Sequence, residues 1–184
     1  MSVIFGLLIL LGVFAIILIV LGNFLPTTWV VEKAVLVQAN AEEIFPFIEV
    51  LDNWQEWSVW TSENGIDFRN EGDATGLGAV QHWKGQLQAK LTVTKSETPH
   101  LLEYRLELED GKFLVSGTIV LDTSMPQHTQ VAWRSTLSVD KSFNPIYRYQ
   151  SYFLRNYFET TMAESLIGLQ ALFGIGDLDD PDVA

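Results

Sequence analysis

Three side chains in this 184-residue sequence are candidates for general acid or base chemistry: His82, Tyr104 and Glu164. A histidine titrates near neutral pH, and a carboxyl or phenol group that is removed from water has a raised pKa. The sequence has no cysteine, which excludes a thiolate zinc site and a cysteine nucleophile. The other histidines, His100 and His128, stand near prolines at predicted turns and are expected to face solvent. Because the three histidines are separated and lack a carboxylate cluster, we predict no metal site and no cofactor.

His82 and Trp83 are neighbours in a predicted strand, so only one of them can face the interior. We expect Trp83 to point inward with Ala79 and Gln81, which leaves His82 exposed. In the opposite orientation His82 points inward with Val80 and becomes a candidate general base. The sequence favours the first arrangement without excluding the second.

Tyr104 and Glu164 each have two interpretations. Tyr104 is predicted to point inward between Leu102 and Leu106, where its hydroxyl needs a partner, either a ligand or a backbone carbonyl group. Glu164 lies near Tyr157 on a predicted C-terminal helix. If this carboxyl group is desolvated, it can act as an acid or bind a polar group of a ligand. If the helix leaves that arc open, Glu164 is a residue at an exposed rim.

Periodicity and turn signals predict the elements that must position these side chains. Residues 30–38 form a first strand, and Asn40 with Glu43 three residues later predicts a short helix with a capping box. A second short helix is expected around residues 51–57. From Ile66 onward, strands are separated by glycine and Asx turns without intervening helices, so the sheet is predicted to be antiparallel.

Alternation within the strands predicts the inner face of this sheet. Residues 102–109 carry apolar side chains at even positions and charged ones at odd positions, which indicates one buried face. The inner wall is expected to consist of Leu87, Ala89, Leu91, Val93, Leu102, Tyr104, Leu106, Leu108, Phe113, Val115, Gly117, Ile119, Leu121, Val131, Trp133, Leu137 and Val139.

A single long helix is predicted after the last strand. Asn144 and Pro145 provide an N-cap and a first-turn proline, and Gly174 ends the helix after Phe173. Its apolar arc exceeds half the circumference, so we expect the sheet, neighbouring helices or a bound apolar molecule to cover it. Residues 175–184 are predicted to be a solvated acidic tail.

The N-terminal segment has no charged residue before Glu32, and residues 3–21 match the length of helix that crosses about 30 Å of hydrocarbon. We expect an uncleaved single-pass anchor over residues 1–28. A cleaved signal peptide is the alternative, but it normally has a basic start, a shorter apolar stretch and a small-x-small cleavage site. The rest of the chain has the size of one domain, which we place at residues 29–174.

The charge of the chain limits its partners. The formal net charge is -12, and all charged residues follow the apolar segment. This balance argues against nucleic acid as a partner and against a polybasic contact with anionic lipids.

Five stretches, taken in order, resemble the polyketide cyclase/dehydrase-type branch of the SRPBCC or START-like superfamily. They are residues 40–48 (NAEEIFPFI), 52–60 (DNWQEWSVW), 76–85 (GLGAVQHWKG), 129–133 (TQVAW) and 166–172 (LIGLQAL). The resemblance implies an α+β helix-grip fold, in which a curved antiparallel sheet wraps around a long C-terminal helix. It also implies a cavity between the sheet and that helix, which the superfamily uses for lipids, polyketides and other hydrophobic molecules. By analogy with anchored domains of similar appearance, we expect the domain on the extracytoplasmic side.

The resemblance predicts a ligand class more strongly than a reaction. The first hypothesis is a membrane-anchored domain that binds a hydrophobic small molecule. The alternative is a cyclase or dehydratase that uses Glu164, His82 or Tyr104 as acid or base. Trp57 and Trp60 lie three residues apart, where their indole groups either orient a ligand or lock the short helices onto the sheet. The residues expected to line the cavity are Trp57, Trp60, Trp83, Tyr104, Phe113, Trp133, Phe153 and Tyr157.

Overall fold

The order of helices and strands agrees with the sequence prediction. The computed structural model describes residues 2–85, 87–125, 127–139 and 145–174. The elements are α1 Ser2–Phe24, β1 Thr28–Val37, α2 Ala41–Glu49, a 3-10 turn Leu51–Asn53, α3 Trp54–Trp57, β2 Ile66–Asn70, β3 Val80–Gly85, β4 Ala89–Glu97, β5 Leu101–Leu108, β6 Phe113–Asp122, β7 Thr129–Val139 and α4 Pro145–Leu172. The predicted N-cap Asn144 and the acidic tail lie outside the described residues.

The short helices between β1 and β2 follow local sequence signals. The predicted capping box is present at α2, where the backbone N–H of Asn40 donates to the Glu43 carboxylate at 3.0 Å. The second predicted helix consists of the 3-10 turn followed by the single turn of α3. Val50 separates this pair from α2 because its backbone is extended, and the next backbone N–H, from Leu51, donates to the Ala74 carbonyl.

The seven strands of the described residues form one antiparallel sheet in the order β1-β7-β6-β5-β4-β3-β2. The alternation predicted for β5 is confirmed, since Leu102, Tyr104, Leu106 and Leu108 are buried. The register places the first residues of β1, β4 and β6 beside the last residues of β5 and β7. These strand ends lie on the same side of the sheet, and β1 begins there shortly after α1. We name this side the α1 end; it comprises Thr28, Ala89, Leu108, Phe113 and Val139.

Helix α4 crosses the inner face of the sheet and runs in the same direction as β1. Three side-chain contacts join the two elements in order: Trp29 with Ser151, Lys33 with Glu159, and Gln170 with the Leu36 carbonyl. The side of α4 that faces the sheet buries Phe158, Met162, Leu166 and Leu169. The helix therefore begins at the α1 end and ends near the opposite ends of the strands.

The outer side of α4 departs from the sequence prediction. We expected its apolar arc to be covered, but Phe153 is 70% exposed and Ile167 is 63% exposed. The reason is that the sheet packs against one side of the helix, while α1 contacts the outer side near its first turns through Tyr149 and Leu18. An exposed apolar strip therefore begins beside α1.

Helix α1 contains one stretch, Val3–Phe24, that is long and apolar enough to cross a membrane. A signal sequence at an N-terminus meets the same criteria of length and composition. The side chains in this stretch are exposed rather than packed into the domain.

Candidate functional site

The space between the sheet and α4 is largely filled by a cluster of tryptophans, which we name the tryptophan cluster; it comprises Trp54, Trp57, Trp60, Trp83, Trp133 and Tyr104. Trp54 lies at its centre, with ring centroids 5.4 Å from Tyr104, 5.5 Å from Trp57 and 5.9 Å from Trp133. Most of these pairs meet edge to face, which is a favourable geometry for aromatic rings. The cluster closes the middle of the cavity that the resemblance implied.

The polar atoms of the tryptophan cluster are bonded within the protein. The indole N–H of Trp57 donates to the Phe47 carbonyl at 2.8 Å. This bond fits the interpretation in which Trp57 locks the short helices in place. The indole N–H of Trp133 donates to the Tyr104 hydroxyl at 2.9 Å, and Ser135 lies 3.4 Å from the same oxygen. Burial raises the pKa of Tyr104 to about 12, although the hydrogen bonds with Ser135 and Trp133 oppose the shift. Tyr104 is thus a neutral, buried hydroxyl group at physiological pH.

His82 and Trp83 face opposite sides of the sheet, and the expected inward orientation of Trp83 is confirmed by its 1% exposure. The alternative with His82 pointing inward is wrong. Its Nε2 atom lies 3.1 Å from the Glu71 carboxylate on the outer face of the sheet. The hydrogen bond with His82 lowers the pKa of Glu71. His82 thus forms a surface pair, away from the space between sheet and helix.

A pocket of about 600 Å³ opens at the α1 end, between the strand ends and α4. Its lining consists of Val59, Trp60, Asn64, Ile66, Leu87, Glu109, Phe113, Gln150, Phe153, Leu154, Tyr157, Thr161 and Glu164. The size is within the range of ligand pockets, about 300 to 1,000 Å³, and the wall is mainly apolar. A hydrophobic molecule can therefore be held here.

The pocket gathers five of the residues singled out from the sequence: Trp60, Phe113, Phe153, Tyr157 and Glu164. The remaining four residues expected to line a cavity, Trp57, Trp83, Tyr104 and Trp133, are packed in the tryptophan cluster and are not part of this lining. A ligand-binding role for each of the eight stays a prediction.

Sequence reasoning missed several lining residues. Gln150, Leu154 and Thr161 follow the helical spacing of Tyr157 and Glu164, so the period of α4 contained a signal for them. Leu87 was predicted on the inner wall but not among the cavity residues, and Glu109 was not predicted. Both come from turns at the α1 end, so their proximity depends on strand register. Val59 and Asn64 come from the chain between α3 and β2, which has no regular period, and Ile66 is the first residue of β2.

The pocket has an apolar floor and a polar rim. Trp60 and Phe113 are buried at the floor, and the Trp60 indole N–H donates to the Tyr157 hydroxyl at 3.0 Å. Phe153 and Glu164 are exposed at the rim, as is Glu109. Both charged residues of the described lining are therefore acidic, and none of its members is lysine, arginine or histidine. This charge disfavours an anionic ligand near the rim.

No group of three or more histidine, aspartate or glutamate side chains in the described part of the chain is arranged to hold a metal ion. The pocket lining contains two carboxylates, Glu109 and Glu164, as well as amide and hydroxyl groups. The chemistry it offers is hydrophobic contact, hydrogen bonding and one or two carboxyl groups.

An antiparallel sheet that curves around a long C-terminal helix, with a pocket between them, defines the helix-grip class of small-molecule-binding domains. Residues 28–174 match the family described as "Polyketide cyclase / dehydrase and lipid transport". The chain belongs to this family, as the sequence motifs predicted. No curated protein matches the sequence.

Solved structures of similar shape agree with the fold. A protein from Nitrosospira multiformis is 15% identical, with a TM-score of 0.60 over 79% of this chain and 96% of that one. The di-domain ARO/CYC BexL from the BE-7585A biosynthetic pathway is 14% identical, with a TM-score of 0.59 over 81% and 51% of the two chains. A norcoclaurine synthase point mutant from Thalictrum flavum is 13% identical, with a TM-score of 0.57 over 79% and 94%. At these identities the similarity shows the fold alone.

Proposed function

We propose that this protein is a membrane-anchored domain that binds a hydrophobic small molecule, a lipid or a polyketide-like compound, in the pocket at the α1 end. The observation that carries the proposal is the open, mainly apolar pocket of about 600 Å³, beside an interior that is otherwise filled by tryptophans. The family description, which includes lipid transport, supports the same class of ligand. In this proposal residues 1–28 are the anchor, residues 29–174 the binding domain and residues 175–184 an acidic tail.

The rim favours a ligand whose polar end is neutral or cationic. Glu109 and Glu164 lie at the rim, and no described lining residue offers a compensating positive charge. The hydroxyl of Tyr157 accepts from Trp60 and keeps its own proton to donate to a ligand oxygen. A hydroxyl or amide group at the end of an apolar body fits these groups best.

The test uses full-length protein in detergent and two pyrene-labelled probes of equal chain length, an alcohol and a carboxylic acid. We expect energy transfer from tryptophan to pyrene to be saturable, with the alcohol bound more tightly at neutral pH. Replacing half-buried Leu154 by tryptophan fills the pocket and should weaken binding by about tenfold or more, which is about 1.4 kcal/mol.

Leu172→Trp is the matched control, because Leu172 is exposed on the same helix and lies outside the pocket lining. Organic extraction of the purified protein, followed by mass spectrometry, should recover a bound apolar compound. If nothing is extracted, and Leu154→Trp and Leu172→Trp bind the alcohol equally, the pocket is not a ligand site.

A second candidate function is a cyclase or dehydratase reaction, which the presence of Glu164 in the pocket lining favours. Of the three acid or base candidates, His82 lies on the outer face and Tyr104 in the tryptophan cluster, so Glu164 would carry the proton transfer. Glu164→Gln should then abolish conversion of the extracted compound while its binding persists. If the extracted compound is returned unchanged by both the native protein and Glu164→Gln, the enzymatic function is excluded.

The proposed anchor is α1, with the binding domain on the extracytoplasmic side. The apolar stretch Val3–Phe24 supports it by length and composition. The intact mass of the mature protein distinguishes an anchor from a cleaved signal sequence, and carbonate washing of membranes measures integration. Protease treatment of intact cells determines the side, since an extracytoplasmic domain is digested without lysis.

A further inference from the structure

The pocket lies at the edge of the domain that is nearest to α1. Phe113 lines the pocket, and it pairs with Val139, the last residue of β7. The neighbouring residue on β7, Ser138, pairs with Thr28, the first residue of β1. Residues 25–27 are all that separates Thr28 from the end of α1. The sheet register therefore places the pocket next to the proposed membrane anchor.

The first turns of α4 lie against the end of α1. The guanidinium group of Arg148 donates to the Asn23 carbonyl, and the Tyr149 hydroxyl donates to the Leu18 carbonyl at 2.8 Å. Leu18 precedes the last residue of α1, Phe24, by six positions, which corresponds to about 9 Å along a helix. Tyr149 therefore lies alongside the last turns of α1, at the level of Leu18.

The surface of α4 beside these contacts is apolar and aromatic. Ile146 is 59% exposed and Phe153 is 70% exposed, and Tyr152 is also exposed. Tyrosine and tryptophan side chains favour the headgroup level of a bilayer, and an apolar helix face can enter about 5 to 10 Å into the boundary with the acyl chains. Trp29 adds a further aromatic ring here, 5.8 Å from the Tyr152 ring.

We propose that residues 146–153 of α4 lie in the headgroup and acyl-chain boundary of the leaflet next to the domain, so that the pocket opens onto the bilayer. This inference rests on the proposed anchor and ligand class, and adds the route of entry. Phe153 belongs both to the exposed surface and to the pocket lining, so it joins the two. A lipid-soluble molecule then moves between leaflet and pocket without crossing bulk water.

The bilayer is the occupant that the contacts favour, because the exposed strip is continuous with α1, whose apolar side chains are themselves exposed. The alternative is that a second copy of the chain covers this strip. The formal net charge of -12 argues against a grip on anionic lipid, so the depth must come from the apolar side chains. We expect insertion into vesicles of neutral phosphatidylcholine.

The test exploits the absence of cysteine, which makes single labelling sites specific. Ile146→Cys, Ala171→Cys and Leu11→Cys are each labelled with an environment-sensitive fluorophore in the full chain and reconstituted in phosphatidylcholine vesicles. Ala171 is the matched control, because it is exposed on α4 at the end remote from α1. Lipids that carry a spin label near the headgroup or near the chain end act as quenchers.

We expect the label at Ile146 to be quenched severalfold more by the shallow spin label than the label at Ala171. The label at Leu11 should be quenched best by the deep one. If Leu11 is quenched but Ile146 behaves like Ala171, α1 is an anchor and the proposed depth of α4 is wrong. If Leu11 is not quenched, the anchor and the inference are both wrong. Self-quenching at Ile146 that vanishes on dilution with unlabelled protein, without lipid quenching, identifies a second copy as the occupant and overturns the inference.

The entry route has its own readout. Ile146→Asp should slow transfer of the pyrene-labelled alcohol from vesicles to the protein severalfold, with Ala171→Asp as the control. Equilibrium binding of the same probe in detergent should be unchanged in both variants. Equal transfer rates would show that the ligand does not enter through this surface. If the native protein does not bind the probe in detergent, the ligand-binding proposal is refuted, whatever the depth of Ile146.

Discussion

Gly168 allows α4 to lie close to α3 because it has no side chain, and replacing it with alanine should destabilise the protein. A Cβ atom at this position would lie 2.2 Å from the Trp57 carbonyl oxygen and 3.2 Å from its carbonyl carbon. Carbon and oxygen atoms in close contact are normally about 3.3 Å or more apart. The two helices would have to separate by roughly 1 Å, and the obstructing atoms are backbone, which cannot rotate away.

The sign of this effect is informative because helix propensity acts in the opposite direction. Alanine in place of glycine inside an exposed helix gains up to about 1 kcal/mol. Overpacking in a closely packed contact costs about 1 to 3 kcal/mol. Separation would also strain the bond from the Val59 backbone N–H to the Ser165 hydroxyl, which measures 3.1 Å. We expect Gly168→Ala to lower the free energy of unfolding by about 1 to 2 kcal/mol.

Chemical denaturation of the full chain in detergent, followed by tryptophan fluorescence, measures this difference. Gly12→Ala is the control for the substitution itself, because a Cβ atom at Gly12 meets nothing within 4 Å. We expect the control to leave the transition unchanged. If Gly168→Ala is as stable as the native protein or more stable, the close contact with Trp57 does not exist in solution and the reasoning fails.

Three further predictions concern the tryptophan cluster. Tyr104→Phe removes the acceptor of the Trp133 indole N–H and should cost about 1 to 3 kcal/mol in chemical denaturation; an unchanged midpoint would contradict the hydrogen bond. The pKa of Tyr104 is raised from 10.0 to about 12, so the unfolded chain loses this proton first. The contribution of Tyr104 to the free energy of unfolding should therefore be fully present below pH 10. The free energy of unfolding should fall by roughly 2 to 3 kcal/mol as pH rises to about 12, and Tyr104→Phe should lack this part of the fall. Gly117→Ala would place a Cβ atom 2.0 Å from the Tyr104 ring, and its melting temperature should drop; a native melting temperature would show that the ring lies elsewhere.

Much of the fold could be predicted because its signals are local. Side chains alternate between the two faces of a strand, so residues 102–108 revealed the buried face of β5 without knowledge of its partners. The capping box of Asn40 and Glu43 likewise depends on residues three apart. The break at Val50 agrees with the two short helices predicted there, but no local signal indicated the backbone bond between Leu51 and Ala74, which are distant in sequence.

The site could be predicted only in part, because an inward-facing tryptophan can either line a cavity or fill it. Trp60 and Trp133 look alike in the sequence and both belong to the tryptophan cluster, yet only Trp60 also lines the pocket. The difference is set by distance from the α1 end, which depends on strand register for Trp133 and on the path of the chain between α3 and β2 for Trp60, and not on periodicity. Glu109 was missed for the same reason, since turn residues join a site through register alone.

The location of the pocket follows from the sizes of the inward-facing side chains along the sheet. Away from the α1 end these include Trp133 and Tyr104, and their rings reach Trp54 on the opposite side of the core. At the α1 end Ala89 and Val139 are small, and Leu87 and Phe113 line space that α4 does not close. Interiors pack to high density, so space remains where small residues meet an element that cannot move closer. Here α4 is held by contacts with α1 at one end and with α3 and the residues that follow it at the other. The same helix contacts that keep the pocket open therefore also fix its mouth beside the apolar N-terminal helix.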